Sequence, residues 1–485
     1  MTLLTKSRYI AGLQCPRFLW TKVHEKETLP EPDITAQAQF DTGDEVGELA
    51  KKVYPDGVDI SFDSFTKNLK ETTELLAIGD SPLFEPGVKF GNFFSRADIL
   101  VPVGDGSWDI VEVKSGTKVK EINLHDVSFQ KYCYTGAGLR INKCYLMHIN
   151  NEYIRNGELD VKKLFAKDDI TEQVDKLLPD VPEKAKELLD VMNAFKYPKA
   201  IIGKQCRSPY KCPIEECWNF LPDNNVFHLY RGGQNTLKLF ENGIHAISDI
   251  PPEFALSEKQ DIQKRCEKDG KPYIDKPEIK KFLDSLEYPL YYLDFETFRT
   301  AVPMFDNTKP YQQLPFQFSL HIQQESGEVE HKSFLYNGKG DPRREFADAL
   351  KNAIGESGTI VAYNESFEKA RINELAELFP EFKKWNESVQ KRFVDLIIPF
   401  RNFYYYNPLQ KGSASLKKTM PALTGKGYDG LDIADGETAS VKFLNVTYRG
   451  ADEEKKKKVR EDLEKYCGLD TEGMIWIVNK LKELV

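Results

Sequence analysis

The strongest pattern in the chain is an apolar run at residues 291–297 that carries two acidic residues. The run follows a proline and is rich in aromatic residues, which favours a β-strand. Because successive side chains of a strand point to opposite faces, Asp294 and Glu296 share one face, and Leu293 and Phe295 share the other. The pattern therefore predicts a strand that presents two carboxylates side by side.

Two predicted helices further along the chain each carry one acidic residue on an apolar stripe. A short strand at residues 359–363 leads into a helix on which Glu368 shares a face with Ile372, Leu375 and Phe379. The apolar stripe of the C-terminal helix consists of Leu463, Tyr466, Asp470, Met474 and Ile477. An acid on such a core-facing stripe is costly unless it is paired or binds a metal ion.

These acidic residues together predict a metal site for phosphodiester chemistry. The four residues are Asp294, Glu296, Glu368 and Asp470. Their hard oxygen ligands suit Mg²⁺ or Mn²⁺, and four carboxylates can hold two cations about 3.5–4 Å apart for an in-line attack. Tyr466, one helical turn before Asp470, is placed to orient the attacking water. The alternative is a surface edge strand whose two acids are solvated.

Three motifs in this half of the chain resemble those of DEDD-type 3′–5′ exonucleases of the tyrosine subclass, which have an RNase H-like fold. The motifs are Asp294-Phe295-Glu296, Asn364-x-x-Phe367-Glu368 and Tyr466-x-x-x-Asp470, and the similarity extends over residues 286–485. The resemblance implies that the four acids bind the metals, that Tyr466 positions water and that Asn364 contacts substrate. The family normally has aspartate where this chain has Glu368.

A second candidate site lies in the N-terminal half. Residues 88–103 and a strand at 108–114 flank a turn and predict a β-hairpin. Glu112 and Lys114 share one face of the second strand, and Asp98 in the partner strand lies close enough to approach Glu112. An Asp and a Glu can bind one Mg²⁺, and a nearby lysine can stabilise the attacking water or the phosphorane charge. The alternative is a hairpin with an ordinary Glu–Lys pair.

The same residues resemble the motifs of PD-(D/E)XK nucleases of the RecB type. The motif residues are Asp98, Glu112-Val113-Lys114 and Gln130-x-x-x-Tyr134, the last pair one turn apart on a predicted helix. The resemblance implies a restriction-endonuclease-like mixed sheet, with one metal held by Asp98 and Glu112 and assistance from Lys114. It also implies that Gln130 and Tyr134 contact substrate or the backbone of the site.

Four cysteines flank this N-terminal half. Cys15 precedes it, and Cys206, Cys212 and Cys217 follow it. The layout is similar to that of the iron–sulfur subgroup of RecB-like nucleases, in which a [4Fe–4S] cluster pins the two ends of the domain together. Closing a long loop in this way stabilises the fold by removing chain entropy. The spacing also suits a Cys₄ zinc site, so Zn²⁺ stays open as the alternative.

Composition adds limits on compartment and partners. The chain has 485 residues, 40% of them hydrophobic, with a formal net charge of −9. No run reaches transmembrane length and the N-terminus lacks the apolar core of a signal peptide, so we expect a cytoplasmic protein with no membrane partner. The charge argues against broad non-specific coating of nucleic acid, but it leaves a local basic channel open.

Together these patterns predict an α/β protein in three parts. Residues 1–221 form a restriction-endonuclease-like RecB-type domain, 222–285 a short helical linker with a helix-hairpin-helix-like element or a simple packing connector, and 286–485 an RNase H-like exonuclease domain. The predicted activity is metal-dependent 3′–5′ exonucleolysis of single-stranded DNA, with a second RecB-like site and RNA as the other substrate. One alternative is that one nuclease domain is inactive and serves as a nucleic-acid-binding or partner-recruiting platform; another is a non-enzymatic, cluster-bearing module.

Overall fold

Runs rich in valine, isoleucine and aromatic residues form sixteen strands in the computed structural model, which describes residues 3–485. Within that range the strands collect into sheets of six, five, three and two strands, accompanied by eighteen α-helices. Parallel and antiparallel pairs occur in the same sheets. The predicted α/β class is therefore confirmed at this level of description.

The chain divides into two compact units. Unit 1 comprises the residues up to Asn219 together with Thr300–Gln312, and unit 2 comprises Phe220–Arg299 and Gln313–Val485. The segment predicted as a linker, residues 222–285, lies in unit 2. The loop at Thr300–Gln312 belongs to unit 1 because its backbone and side chains bond to that unit; Arg155 N–H, for example, donates to Thr308 O at 3.1 Å.

Unit 1 begins with β1 (Leu4–Thr5), α1 (Lys6–Gln14), α2 (Pro16–His24), α3 (Ile34–Lys51), β2 (Val58–Asp59) and α4 (Phe65–Ile78). It continues with β3 (Leu83–Phe84), β4 (Gly87–Phe90), β5 (Phe93–Arg96), β6 (Ile99–Pro102), β7 (Ser107–Lys114) and α5 (Glu121–Gly136). It ends with β8 (Arg140–Ile149), α6 (Val161–Leu164), β9 (Phe165–Asp169), α7 (Thr171–Leu177) and α8 (Val181–Asn193).

The six-stranded sheet of unit 1 runs in the order β2-β3-β6-β7-β8-β9. Strand β7 pairs antiparallel with β6 and parallel with β8. Side chains of β7 alternate between two cores: Trp108 and Ile110 pack with residues of α5, whereas Val111 packs with Val46 of α3. Since alternate residues of a strand share a face, Glu112 lies on the same face as Trp108 and Ile110 and points toward α5.

The prediction that residues 88–103 form one arm of a β-hairpin was wrong. This stretch contains three strands, of which β4 and β5 join β1 in a separate three-stranded sheet and only β6 pairs with β7. Asp98 lies immediately before β6 rather than within a strand. The pairing of Ile99 with Val111 nevertheless brings Asp98 next to Glu112.

Unit 2 begins with α9 (Gly233–Glu241), α10 (Glu258–Asp269), β10 (Tyr273–Ile274), α11 (Lys276–Leu283), β11 (Leu290–Phe298) and β12 (Leu314–Gln323). It continues with β13 (Val329–Leu335), α12 (Arg343–Ala353), β14 (Thr359–Ala362), α13 (Ser366–Leu378), α14 (Lys383–Val389) and β15 (Phe393–Asp395). It ends with α15 (Ile398–Arg401), β16 (Tyr405–Tyr406), α16 (Leu416–Thr424), α17 (Gly436–Thr447) and α18 (Glu453–Leu484).

The five-stranded sheet of unit 2 runs in the order β13-β12-β11-β14-β15, so β11 is its central strand. Tyr291, Leu293 and Phe295 pack into a core with α12 and α13, whereas Leu290 and Tyr292 pack on the other face against α18. Helix α18 crosses β11 and β12 on that second face. The central position excludes the alternative of an edge strand with solvated acids.

The predicted pair of helices around a glycine turn is present only in part. Helix α9 leads into a turn at Gly243, but a short 3₁₀ turn at Ile247–Asp249 stands where the second helix was predicted. No helix among residues 3–485 is both long and apolar enough to cross a bilayer.

Candidate functional site

The acidic residues of β11 and α18 meet on one face of the unit 2 sheet. Asp294 and Glu296 continue the row of Leu290 and Tyr292 that faces α18. Asp470 lies on the buried stripe of α18. Each of the three residues has a carboxylate oxygen within 4.8 Å of one belonging to each of the others. Among residues 3–485 they are the only group of three or more potential His, Cys, Asp or Glu ligands packed this closely.

Glu368 joins this cluster from the first turn of α13. Its side chain is buried, and its Oε2 atom has no hydrogen-bond partner among residues 3–485. A buried carboxylate oxygen without a donor is costly, since it has lost its hydration. The negative charge of Glu368 also raises the pKa values of Asp294 and Glu296. The four predicted metal ligands of unit 2 are thus brought together.

The pKa shifts of the cluster show that nearby positive charge does not offset the burial and mutual repulsion of its acids. Burial raises the pKa of Glu368 to about 8, with a further rise from Asp395. Burial and then the neighbouring carboxylates hold the pKa values of Asp294 and Glu296 well above their usual range. Burial also raises the pKa of Asp470 to about 6, although hydrogen bonding and Lys417 oppose the rise. A divalent cation would reverse these shifts by favouring the charged forms.

Two tyrosines and a cysteine surround the acids. The Tyr428 hydroxyl donates to Asp470 Oδ1, and Tyr466 also lies close enough to hydrogen-bond with Asp470. Cys467 Sγ donates to Asp294 Oδ2 at 3.6 Å. Lys417 of α16 places its ammonium 5.4 Å from the centre of the Tyr466 ring. The Tyr466 phenol, predicted to position water, is therefore adjacent to the acids.

Asn364 lies at the turn between β14 and α13, with a positive φ of 75° that asparagine tolerates better than most residues. Its N–H donates to Asp395 Oδ1 at 2.8 Å, and its side-chain oxygen accepts from Arg401 at 3.1 Å. This arrangement fixes the start of α13 and hence the position of Glu368. A substrate contact by Asn364 stays a prediction.

The donor set of unit 2 fits Mg²⁺ or Mn²⁺. All the close ligands are carboxylate oxygens, which hard divalent cations prefer, and the orphaned Oε2 atom of Glu368 supplies one more. The residues that would hold the metals are Asp294, Glu296, Glu368 and Asp470.

The predicted site of unit 1 is assembled between β7 and α5. Gln130 Nε2 donates to Glu112 Oε2 at 2.6 Å, and Asp98 Oδ2 accepts the N–H of Val113 at 2.6 Å. The Lys114 ammonium donates to Glu112 Oε1. The Tyr134 hydroxyl bonds with backbone atoms only: it donates to Pro86 O and accepts from Ala97 N. The five residues predicted from the motifs therefore lie together, with Tyr134 supporting the backbone that carries Asp98.

Two further residues complete this network. Lys6 Nζ lies 2.8 Å from Glu112, 3.8 Å from Asp126 and 4.0 Å from Asp98. Lys114 Nζ lies 3.1 Å from Asp126. Sequence reasoning missed both Lys6 and Asp126, although Asp126 stands one helical turn before Gln130 on α5, a spacing that places the two on one face.

The charge balance of unit 1 differs from that of unit 2. Burial disfavours ionisation of Glu112, but Lys114 and Lys6 outweigh it and hold the pKa of Glu112 below its usual range. Burial, reinforced by Glu112, raises the pKa of Asp98 to about 7. A cavity of about 580 Å³ opens on these residues and is also lined by Glu48, Lys51 and Arg96. A metal ion bound by Asp98 and Glu112 would have to displace the Lys6 ammonium.

The four predicted cluster cysteines are also neighbours. Burial is the main cause that raises the pKa of Cys212, and the thiols of Cys15, Cys206 and Cys217 raise it further. Arg17 Nη1 donates to Cys217 Sγ at 3.6 Å. Gln14 Nε2, next to Cys15, donates to the carbonyls of Gln205 and Tyr210 at 2.9 and 2.7 Å. The N-terminal helices and the distant cysteine loop therefore meet, as a shared cluster would require.

Comparison with known protein families gives one match, to a family described as "Domain of unknown function (DUF2779)". The match covers residues 291–415, which is less than half of the chain. This interval contains Asp294, Glu296 and Glu368, but it ends before Tyr466 and Asp470.

Curated relatives were found in mycoplasmas. "Uncharacterized protein MG366 homolog" of Mycoplasma pneumoniae is 26% identical over 230 residues, and "Uncharacterized protein MG366" of Mycoplasma genitalium is 26% identical over 227 residues. Each match covers 43% of this chain and 34% of the relative. "Uncharacterized protein UU173" of Ureaplasma parvum is 25% identical over 216 residues, covering 40% of this chain and 31% of the relative. The matched part spans about a third of the length of these relatives.

Among solved structures, the chain is similar to the "Crystal structure of SSO0001" at 12% sequence identity. The match covers 40% of this chain and 78% of that chain, with a TM-score of 0.22.

Proposed function

We propose that unit 2 is a metal-dependent 3′–5′ exonuclease of the DEDD type with an RNase H-like fold, acting on single-stranded DNA. The observation that carries the proposal is the packing of Asp294, Glu296 and Asp470 within 4.8 Å of one another, together with the buried Glu368, whose Oε2 atom has no hydrogen-bond partner among residues 3–485. Buried acids in this number are costly unless a cation is present. Two divalent cations can polarise the phosphoryl group and supply an activated water.

The protein residues have distinct roles in this proposal. The four carboxylates would hold the cations: β11 positions two of them, α18 one and α13 one. Tyr466 orients the water through its hydroxyl. Lys417 lies beside Tyr466 and partly offsets the charge of the acids, since it lowers the pKa values of Glu296 and Asp470. Substrate polarity and the preference for DNA rest on the motif resemblance.

We further propose that unit 1 carries a RecB-like PD-(D/E)XK site with a [4Fe–4S] cluster. Its support is the joint placement of Asp98, Glu112 and Lys114 around one cavity, with Gln130 bonded to Glu112 from behind. For the cysteines, a tetrahedral zinc ion would hold the thiolates about 3.8 Å apart. The action of the other three thiols on the pKa of Cys212 supports one shared site, and Zn²⁺ stays the alternative to the cluster.

The second candidate is that unit 1 has no nuclease activity and serves as a nucleic-acid-binding or partner-recruiting platform. Lys6 favours it, because the ammonium lies among Glu112, Asp126 and Asp98, where a metal ion would have to bind. In this case the ion pairs replace the metal, and the cavity with its lysines is left to bind phosphate.

The test is digestion of 5′-labelled and 3′-labelled single-stranded DNA with Mg²⁺ or Mn²⁺. We expect the 5′-labelled strand to shorten from its 3′ end, and we expect Asp294→Ala to abolish this shortening. Glu330→Ala is the matched control, since Glu330 is an exposed acid on β13 of the same sheet.

Cleavage that survives Asp294→Ala and is lost in Glu112→Ala would assign the chemistry to unit 1. Loss of all shortening in Asp294→Ala with normal activity of Glu112→Ala would support the platform. Absence of cleavage of DNA and of RNA by the parent protein would overturn the enzyme proposal.

A further inference from the structure

A basic segment in unit 1 contrasts with the acidic balance of the whole chain, which has a net charge of −9. No acidic residue occurs between Asp190 and Glu215. The same interval contains five cationic residues: Lys196, Lys199, Lys204, Arg207 and Lys211. Residues 195–211 are called the basic segment below. Neither of the two candidate sites uses its cationic side chains.

The five cations of the basic segment are exposed, and within the described part of the chain three of its lysines have no acidic neighbour. All five side chains lie at the surface. Lys211 lies 3.6 Å from Glu215, but among residues 3–485 no carboxylate oxygen lies within 4.0 Å of Lys196, Lys199 or Lys204. Surface lysines of the rest of this chain often pair with acids, for example Lys67 with Asp63 at 2.8 Å. Lys196, Lys199 and Lys204 therefore present positive charge that no nearby carboxylate of residues 3–485 offsets.

Aromatic rings alternate with these cations. Phe195 is 93% exposed and Tyr210 is 57% exposed. Tyr197 stands between them in the sequence, and it packs edge-on against Trp20 with ring centres 5.7 Å apart. Large rings this exposed are uncommon on a protein surface and mark interaction sites. The combination of free charge and exposed rings is typical of surfaces that track a single strand of nucleic acid.

Contacts with the rest of unit 1 hold the backbone of the basic segment. Trp20 Nε1 donates to Ala194 O at 2.9 Å, at the start of the segment. Gln14 bonds to the carbonyls of Gln205 and Tyr210, and Cys212 N donates to Cys206 O at 2.9 Å. A segment that is already held loses less conformational entropy when it binds a ligand.

We propose that the basic segment is a docking surface for single-stranded DNA. This inference rests on the proposed nuclease function, which supplies the choice of DNA, while charge complementarity and the exposed rings supply the choice of a single strand. The lysines contact phosphates, and Phe195 and Tyr210 stack on bases. A duplex offers the phosphates but hides the faces of its bases, so it lacks half of these contacts.

The experiment measures binding separately from cleavage. Full-length protein carrying Asp294→Ala and Glu112→Ala is titrated, in EDTA, into a fluorescently labelled single-stranded oligonucleotide, and anisotropy is recorded at several salt concentrations. In this background Lys196→Gln/Lys199→Gln/Lys204→Gln should weaken binding at low salt. It should also reduce the slope of log K against log salt concentration by about 2, because each phosphate contact contributes about 0.7. Phe195→Ala/Tyr210→Ala should weaken binding about tenfold or more while the slope stays the same.

A matched control uses the other lysine run of the chain. Lys455→Gln/Lys456→Gln/Lys457→Gln removes the same charge from the start of α18, and it should leave affinity and slope unchanged. Thermal melting confirms that each variant is folded. Equal losses in the control, or parental affinity in both segment variants, would overturn the proposal. So would tighter binding of a duplex, or of RNA of the same sequence.

The outcomes also separate this inference from the proposed function. Tight binding that depends on the basic segment, combined with absence of cleavage by the parent protein, would retain the docking surface and reject the nuclease. If the parent protein cleaves DNA but the basic-segment variants bind with parental affinity, the nuclease proposal would be supported and the docking surface rejected.

Discussion

At the scale of single residues, the most informative side chain is Glu368. Its Oε2 atom is buried without a donor, and its charge acts on both acids of β11. A buried oxygen in this setting is costly, and the proposed metal ions would offset that cost. The motif resemblance predicts aspartate at this position. This chain has the longer glutamate instead, in the first turn of α13.

Replacing Glu368 by glutamine tests this explanation. Glu368→Gln keeps the size of the side chain and removes the charge, so we expect a higher melting temperature in EDTA and a smaller gain in melting temperature on adding Mn²⁺. Activity should fall about 100-fold or more if the residue is a ligand. Glu368→Asp is the comparison, and it should retain or raise the rate. Unchanged activity of the glutamine variant would remove Glu368 from the site.

Glu267 gives a prediction on the dependence of stability on pH. Burial raises its pKa to about 7, although Asn224 donates to it at 2.5 Å. The folded protein therefore binds this proton more tightly than the unfolded chain, so the stabilising contribution is present below about pH 4.5 and is lost as the pH rises to about 7. Glu267→Gln should make the protein more stable than the parent at pH 8. It should also reduce the slope of the free energy of unfolding against pH between about pH 4.5 and 7. Urea unfolding at each pH measures this, with the exposed Asp269→Asn as control; equal slopes for both variants would contradict it.

At the scale of elements, the pairing of β7 with α5 decides the arrangement of unit 1. Trp108 and Ile110 turn one face of β7 toward α5, and Glu112 follows them into contact with Gln130. Tyr134 lies one turn further along α5, and its hydroxyl bonds to the Ala97 N–H, directly before Asp98, and to the Pro86 carbonyl. The helix therefore positions Asp98 and Glu112 at once, one through backbone and the other through a side chain.

Removing the Tyr134 hydroxyl tests this role of the helix. Tyr134→Phe removes the hydroxyl that bridges the Ala97 N–H and the Pro86 carbonyl, which keep a longer bond of 3.3 Å to each other, so we expect a loss of about 0.5–1.5 kcal/mol in the free energy of unfolding. Denaturant unfolding measures the loss. Tyr132→Phe on the same helix is the control, and it should change stability little because the ring of Tyr132 packs against Phe90 and Phe93 without needing its hydroxyl. Equal effects of the two variants would contradict the assignment.

Element boundaries show where sequence patterns were sufficient. The alternation at residues 291–297 predicts β11 because the strand is long and strongly apolar, and the stripe of α18 is predicted for the same reason. The arm at 88–103 was wrong because its short strands leave too few residues for a pattern that tells one sheet from another. Lys6 was missed because a lysine near the N-terminus carries no periodic signal, and only the fold brings it to Glu112.

At the scale of the whole molecule, the cysteines join the beginning of the chain to a loop about 190 residues later. Their grouping in space is consistent with one shared cluster, and Gln14 adds direct bonds between the same two regions. A cluster bound by all four thiols would stabilise unit 1 by restricting the unfolded chain, whereas the Gln14 bonds stabilise the folded state directly.

Replacing Cys15 tests the shared cluster. When the protein is purified without air, the parent should contain iron and acid-labile sulfide, and Cys15→Ala should lose both together with about 5–10 °C in melting temperature. Cys144→Ala is the control, because Cys144 is buried in the sheet away from the quartet and should keep its iron. Colourless parent protein with stoichiometric zinc would replace the cluster by the zinc alternative.

The sequence alone determined the α/β class, the strand that carries Asp294 and Glu296, and the stripe that carries Asp470, because periodicity is a local property. Only the tertiary structure decided that β11 is central, that Glu368 joins the other acids, and that Lys6 lies among the acids of unit 1. These relations depend on strand order and on packing between segments distant in the chain, which no local pattern encodes. For the same reason only the structure shows that the acids of the unit 1 site are ion-paired with two lysines, whereas those of the unit 2 site have no carboxylate–lysine pair within 4.0 Å among residues 3–485.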